Sequence, residues 1–93
     1  MRTIITNLDG EKELVNLSEP FYSGKITKIE HDYSKTLIEA LWIGPRSGRM
    51  FAQIYRYSAP AGWLTVEVDL PTFLNYCDQV GIDAPDSIEA LEI

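Results

Sequence analysis

Residues 63–81 read WLTVEVDLPTFLNYCDQVG, and the change of period inside this stretch decides the fold. From Trp63 to Leu70 apolar and polar residues alternate, with Leu64, Val66, Val68 and Leu70 assigned inward and Trp63, Thr65, Glu67 and Asp69 outward. A period of two is that of a half-buried strand. Beyond Pro71 the apolar residues Phe73, Leu74, Tyr76, Cys77 and Val80 fall at helical spacing instead. Proline suits the first helical position, and Gly81 supplies the left-handed residue that ends a helix. The stretch predicts a strand followed directly by a helix of about three turns.

Upstream of this switch the chain reads as β-structure. Asp9-Gly10 suits a type I′ turn between strands over residues 2–8 and 11–17, a register that sets Ile4 opposite Val15 and Ile5 opposite Leu14. Both faces of that hairpin carry apolar residues, which leaves one face for a second subunit. Residues 22–31, with Ile26, Thr27 and Ile29, read as a third strand. Residues 36–43 read as a central strand, with Ile38, Ala40 and Trp42 on one face and Leu37, Glu39, Leu41 and Ile43 on the other. A Gly-Pro turn at 44–48 leads into residues 49–57, where Met50, Ala52 and Ile54 alternate with Phe51, Gln53 and Tyr55. After Gly81, Asp86 can cap a short terminal helix, with Glu89 reaching back and Ile88 and Leu91 docking inward. The expected fold is α+β: an antiparallel β-meander of about five to six strands, then one C-terminal helix and a short terminal helix.

A chain of 93 residues has room for one core, so residues 1–93 are expected to form a single domain. Its 45% hydrophobic content is too high for a disordered chain. The longest wholly apolar runs, such as residues 40–43, are far below the ~18 residues of a membrane span. The N-terminal residues carry no long apolar region typical of a secretory signal, and Cys77 has no second cysteine to pair with. A reducing, cytoplasmic setting without membrane contact is the expectation.

His31 and Cys77 are the only members of their classes, and the metalloprotease, zinc-finger, nucleophile-elbow, phosphate-loop and EF-hand motifs are all missing. No catalytic residue, metal or cofactor is therefore expected. A Cys77–His31 dyad is outweighed by the reading of Cys77 as core among Phe73 and Val80. Glu67 and Asp69 share a strand face like a carboxylate pair, but lone neighbouring acids on an outward face are mostly solvated.

Charge is the remaining signal. All eight lysines and arginines precede residue 67, whereas Glu67, Asp69, Asp78, Asp83, Asp86, Glu89 and Glu92 follow without a single cation. A formal charge of −6 concentrated in this way suggests an acidic face, Glu67, Asp69, Asp83, Asp86, Glu89 and Glu92, with Trp63 as aromatic anchor. Such a face repels nucleic acid and suits a basic protein partner; an inhibitor or regulator of a nucleic-acid-handling protein is one concrete form. The alternative is a nucleotide-binding or other small-ligand homo-oligomer using Arg46, Arg49 and Arg56 with Tyr55 and Tyr57, because guanidinium forks grip phosphate and aromatic rings stack bases.

Overall fold

The computed structural model of the chain describes residues 2–29, 36–44 and 47–84. It opens with a hairpin of β1 (Arg2–Thr6) and β2 (Lys12–Asn16), but the turn differs from the one expected. Gly10 N–H donates to Asn7 O at 2.9 Å, and the Asn7 side-chain oxygen accepts from the backbone of Asp9 and of Glu11, each at 3.0 Å. Gly10 is left-handed at φ 83°, while Asp9 is not. These are the marks of a type I turn opened by asparagine and closed by glycine, whose extra residue shifts the register by one. Ile4 consequently faces Leu14, and Ile5 faces Glu13.

The expected third strand is reduced to β3 (Tyr22–Ser23); residues 24–29 are irregular and His31 lies outside the described residues. β3 pairs with β4 (Ile38–Ile43), which pairs with β5 (Met50–Arg56), which pairs with β6 (Gly62–Val68), all antiparallel. This half is the expected meander. β1, however, lies parallel beside β6 with Thr6 opposite Val66, so the sheet is mixed and ordered β2-β1-β6-β5-β4-β3. The N-terminal hairpin covers the edge that the last strand would otherwise expose.

β6 ends at Val68, two residues earlier than the alternation implies. Asp69 has extended backbone angles and its carboxylate accepts from Thr72 N–H at 3.0 Å, which makes it the N-cap of α1 (Leu70–Val80). Leu70 is thus the first helical residue, not the last of the strand. Gly81, at φ 77°, closes the helix and donates to the carbonyl of Asp78, as its sequence position predicts. The proposed terminal helix from Asp86 lies outside the described residues.

α1 buries Phe73 and Cys77 against Ile38, Leu41, Met50, Ala52 and Val68. Phe21 adds a ring stacked on Phe73 at 5.9 Å between centroids. Ile38 joins this core although its even number should place it with Ala40 and Trp42. A register shift between Ile38 and Ala40 inserts an extra residue on β4 and turns Ile38 to the helix side.

The other side of the sheet has its own core of Ile5, Leu17, Ala40, Trp42 and Phe51, with Val15 packed against it. This cluster reveals the sheet's shape. β2 and β4 are four steps apart in strand order, about 19 Å in a flat sheet at the usual spacing. For Leu17, just after β2, to pack against Trp42, the sheet must curl so that the hairpin folds over the face opposite α1. The residues of β6 expected to point outward, Trp63, Thr65 and Glu67, face this concavity and are partly buried. On the outer side of the hairpin, Ile4 and Leu14 are 64% and 54% exposed.

Candidate functional site

The curl brings together three charged side chains that are far apart in the chain. Arg49, at the entry to β5, donates through Nη1 and Nη2 to the carboxylate of Glu13 at 2.8 and 2.9 Å, and through Nε and Nη2 to that of Glu67 at 3.0 and 2.8 Å. Each acid takes a two-pronged grip on one guanidinium. Glu13 also accepts from the Asn7 side-chain amide at 3.3 Å, and Arg49 sits 5.3 Å from the Phe51 ring centroid. The Glu67 side chain is only 11% exposed, so its charge is compensated where water reaches it poorly.

Hydrogen bonds from Arg49 hold both carboxyl groups below their ordinary values, with Asn7 assisting at Glu13, and the two acids together raise the pKa of Arg49. Near neutral pH all three are ionised, and the triad carries a formal charge of −1. Cys77 is 2% exposed in the helix core, and burial pushes its thiol pKa up, the condition of an inert packing cysteine.

Beside the triad, a groove of about 400 Å³ runs between β2 and the β4–β5 end, with Val15, Leu17, Trp42 and Phe51 as apolar lining and Glu13 and Arg49 among its polar residues. A second depression of about 430 Å³ continues past Leu17 to Pro20, Ala40 and Gln53. Trp42 lines both. It is 5% exposed, and its indole N–H is buried without an acceptor among the described residues. Burying such a donor unpaired costs about 1–3 kcal/mol, and among the described residues no other buried side-chain nitrogen or oxygen is without a partner.

The sequence-derived sites are divided by the fold. Glu67 belongs to the triad, Asp69 caps α1, and Asp78 and Asp83 are exposed at the far end of the helix. Asp86, Glu89 and Glu92 lie outside the described residues, as does Arg46. Trp63 is opposite Tyr55, packed edge-on against it at 5.4 Å, and Tyr55 meets Tyr57 in the same way at 5.2 Å. This aromatic group sits on the sheet face away from α1, so Trp63 does not share a surface with Asp69 and Asp78. Arg49 and Arg56 stand at opposite ends of β5, about 23 Å apart at the rise of a strand, and Arg56 Nε donates to Pro60 O at 3.0 Å. Of the arginines close in sequence, the two that are described are therefore far apart in space. Glu13, Asn7 and the Trp42 groove were not singled out from the sequence; the signal was Asn7 three residues before Gly10, which turns Glu13 to the inner face.

Comparison with protein-family models, with curated proteins and with solved structures found no match.

Proposed function

We propose that this chain acts by binding, as an acidic interaction module that docks on a positively charged protein partner. The observation that carries the reading is the helix and its flanks: Asp69, Asp78 and Asp83 are exposed, and no cation lies within salt-bridge reach of them among the described residues. The acid that does have a cation, Glu67, shares it with Glu13, so the negative balance extends to the hairpin side. A field of one sign steers a basic partner and repels the backbone of nucleic acid. An inhibitor or regulator that occupies the basic groove of a nucleic-acid-handling protein, in a cytoplasmic setting, is the concrete form this takes. Trp63, on another face, is not the anchor of that contact.

The test is affinity capture from the native host at low and high salt, with the double variant Asp78→Lys and Asp83→Lys as control. A partner retained by the natural chain at low salt, released at high salt and lost with the variant supports the reading. Capture that does not weaken at high salt overturns it, and equal capture by both chains removes the helix flank as the place of contact.

A second reading, a small-ligand binder, rests on the groove and on the unpaired Trp42 donor. In that reading the ligand is neutral or cationic, because the guanidinium of Arg49 is already engaged by two carboxylates and the triad around it is negative. A nucleotide held by Arg49 and Arg56 together does not fit their separation. Light scattering tests the homo-oligomeric form of this reading, since a strict monomer has no pocket between subunits.

A further inference from the structure

The groove is the open seam of the curled sheet, and hydrogen-bond phase identifies its walls. Asn7 N–H donates to Glu11 O at 2.8 Å, so by alternation Ile5–Glu13 and Thr3–Val15 are the bonded pairs of the hairpin. Lys12 and Leu14 then turn their backbone groups away from β1, where the sheet has no further strand among the described residues. On the facing side, Gly44 N–H donates to Arg49 O at 2.7 Å while Leu41 and Glu39 accept from Phe21 and Gly24, both at 2.9 Å. Even-numbered residues at this end of β4 thus serve β5, and odd-numbered ones serve β3. β3 stops with Tyr22 opposite Leu41, so Ile43 faces the groove with no strand beside it.

Two residues corroborate this arrangement. Leu14 points to the outer side of the hairpin and Ile43 packs toward the helix core, yet both line the groove. They border it because their strand edges form its rims. Between the rims lie Val15, Trp42 and Phe51, with the negative triad at one end.

We infer that this seam receives an extended segment of the partner as an added β-strand, with apolar side chains alternating onto Trp42 and Val15 and a lysine or arginine next to Glu13. Strand addition supplies main-chain bonds from both rims and takes its specificity from pockets at alternate residues. Charge selects the basic segment: the chain is −6 overall, and the triad has one more carboxylate than cation. The inference rests on the reading of the chain as a module for a basic partner, and adds the place and mode of contact.

The probe is a capped peptide of alternating valine and lysine, titrated into the isotope-labelled chain by NMR, with the same peptide N-methylated at alternate positions as control. The expected result is shifted, exchange-protected amides at Leu14 and Ile43, a shifted Trp42 indole resonance, and about tenfold weaker binding of the N-methylated peptide, the loss of roughly one net hydrogen bond. Absence of shifts at Leu14 and Ile43, or equal binding of the N-methylated peptide, overturns strand addition. Shifts confined to Asp69, Asp78 and Asp83 also overturn it while leaving the acidic docking face in place. Seam binding that persists in the Asp78→Lys, Asp83→Lys variant, when that variant still captures the host partner, supports the seam and removes the helix face. Self-association of the free chain through Leu14, seen by sedimentation, assigns the seam to a second copy and overturns a foreign strand.

Discussion

The two sides of the curled sheet are sealed by different means. Against α1 the buried residues are all apolar, with Leu41, Ala52 and Phe73 fully withdrawn from water, and polar contact is left to the rim, where Gln79 donates to the Thr36 carbonyl. Under the hairpin, an equally apolar cluster shares its space with a charged triad, an indole N–H without a partner, and two depressions. A helix presents a broad apolar stripe that fills the surface it meets, whereas a two-stranded ribbon bent over a sheet covers it only in part. Stability is therefore expected to concentrate on the helix side, and room for an inserted strand or ligand on the hairpin side.

The largest expected effect breaks the sealed side. Phe73→Ala removes a fully buried ring with little room for neighbours to collapse, and should cost about 3–5 kcal/mol in urea unfolding; a loss under about 1 kcal/mol would show that the helix is not the main clamp. Next is the half-sealed side. Arg49→Met removes the shared cation and leaves Glu13 and Glu67 facing one another, and with Arg49 itself about one-third exposed the cost should be roughly 1–2 kcal/mol at neutral pH. The pH dependence follows from the lowered pKa values of both acids. The stabilisation is present above their ordinary value of 4.5 and is lost as pH falls through the lowered folded-state values, so natural chain and variant should converge in acid. A difference that persists unchanged at low pH would assign the effect of Arg49 to packing on Phe51 rather than to charge.

Smaller effects sharpen the contrast. Asp69→Ala removes the helix cap and should lower the melting temperature by about 4–8 °C, with Asp69→Asn restoring most of it because an amide oxygen also caps. Ile4→Thr and Leu14→Thr, on the exposed outside of the hairpin, should change stability by no more than about 0.5 kcal/mol. A larger loss in a concentration-dependent unfolding curve would mean that this surface is covered by another copy.

What could be read in advance follows the range of the interactions involved. The helix was legible because Pro71, Gly81 and the spacing of Phe73, Cys77 and Val80 act within a few residues. The alternation of Met50, Ala52 and Ile54 with Phe51, Gln53 and Tyr55 likewise separates the two faces of β5, each of which contributes to its own core. Asp69 was misplaced because an acid after a strand serves equally as an outward side chain or a cap, and only Thr72 decides between them. The parallel contact of β1 with β6 and the shift at Ile38 depend on neighbours distant in sequence, which no local period records. The triad is of the same kind: Arg49 reaches 36 residues back to Glu13 and 18 forward to Glu67. The acidic segment was conspicuous in the sequence because it depends on composition alone, but its last three acids lie beyond the described residues.

The turn at Asn7 has one further consequence. Surface loops usually tolerate an inserted or deleted residue. Here the count between Thr6 and Lys12 is fixed, because a one-residue change rotates every later side chain of β2 to the opposite side. Glu13 would be carried out to solvent and Leu14 beneath the ribbon, trading the guanidinium's partner for an isobutyl group. This five-residue bend is thus among the least length-tolerant places in the molecule, although water surrounds it.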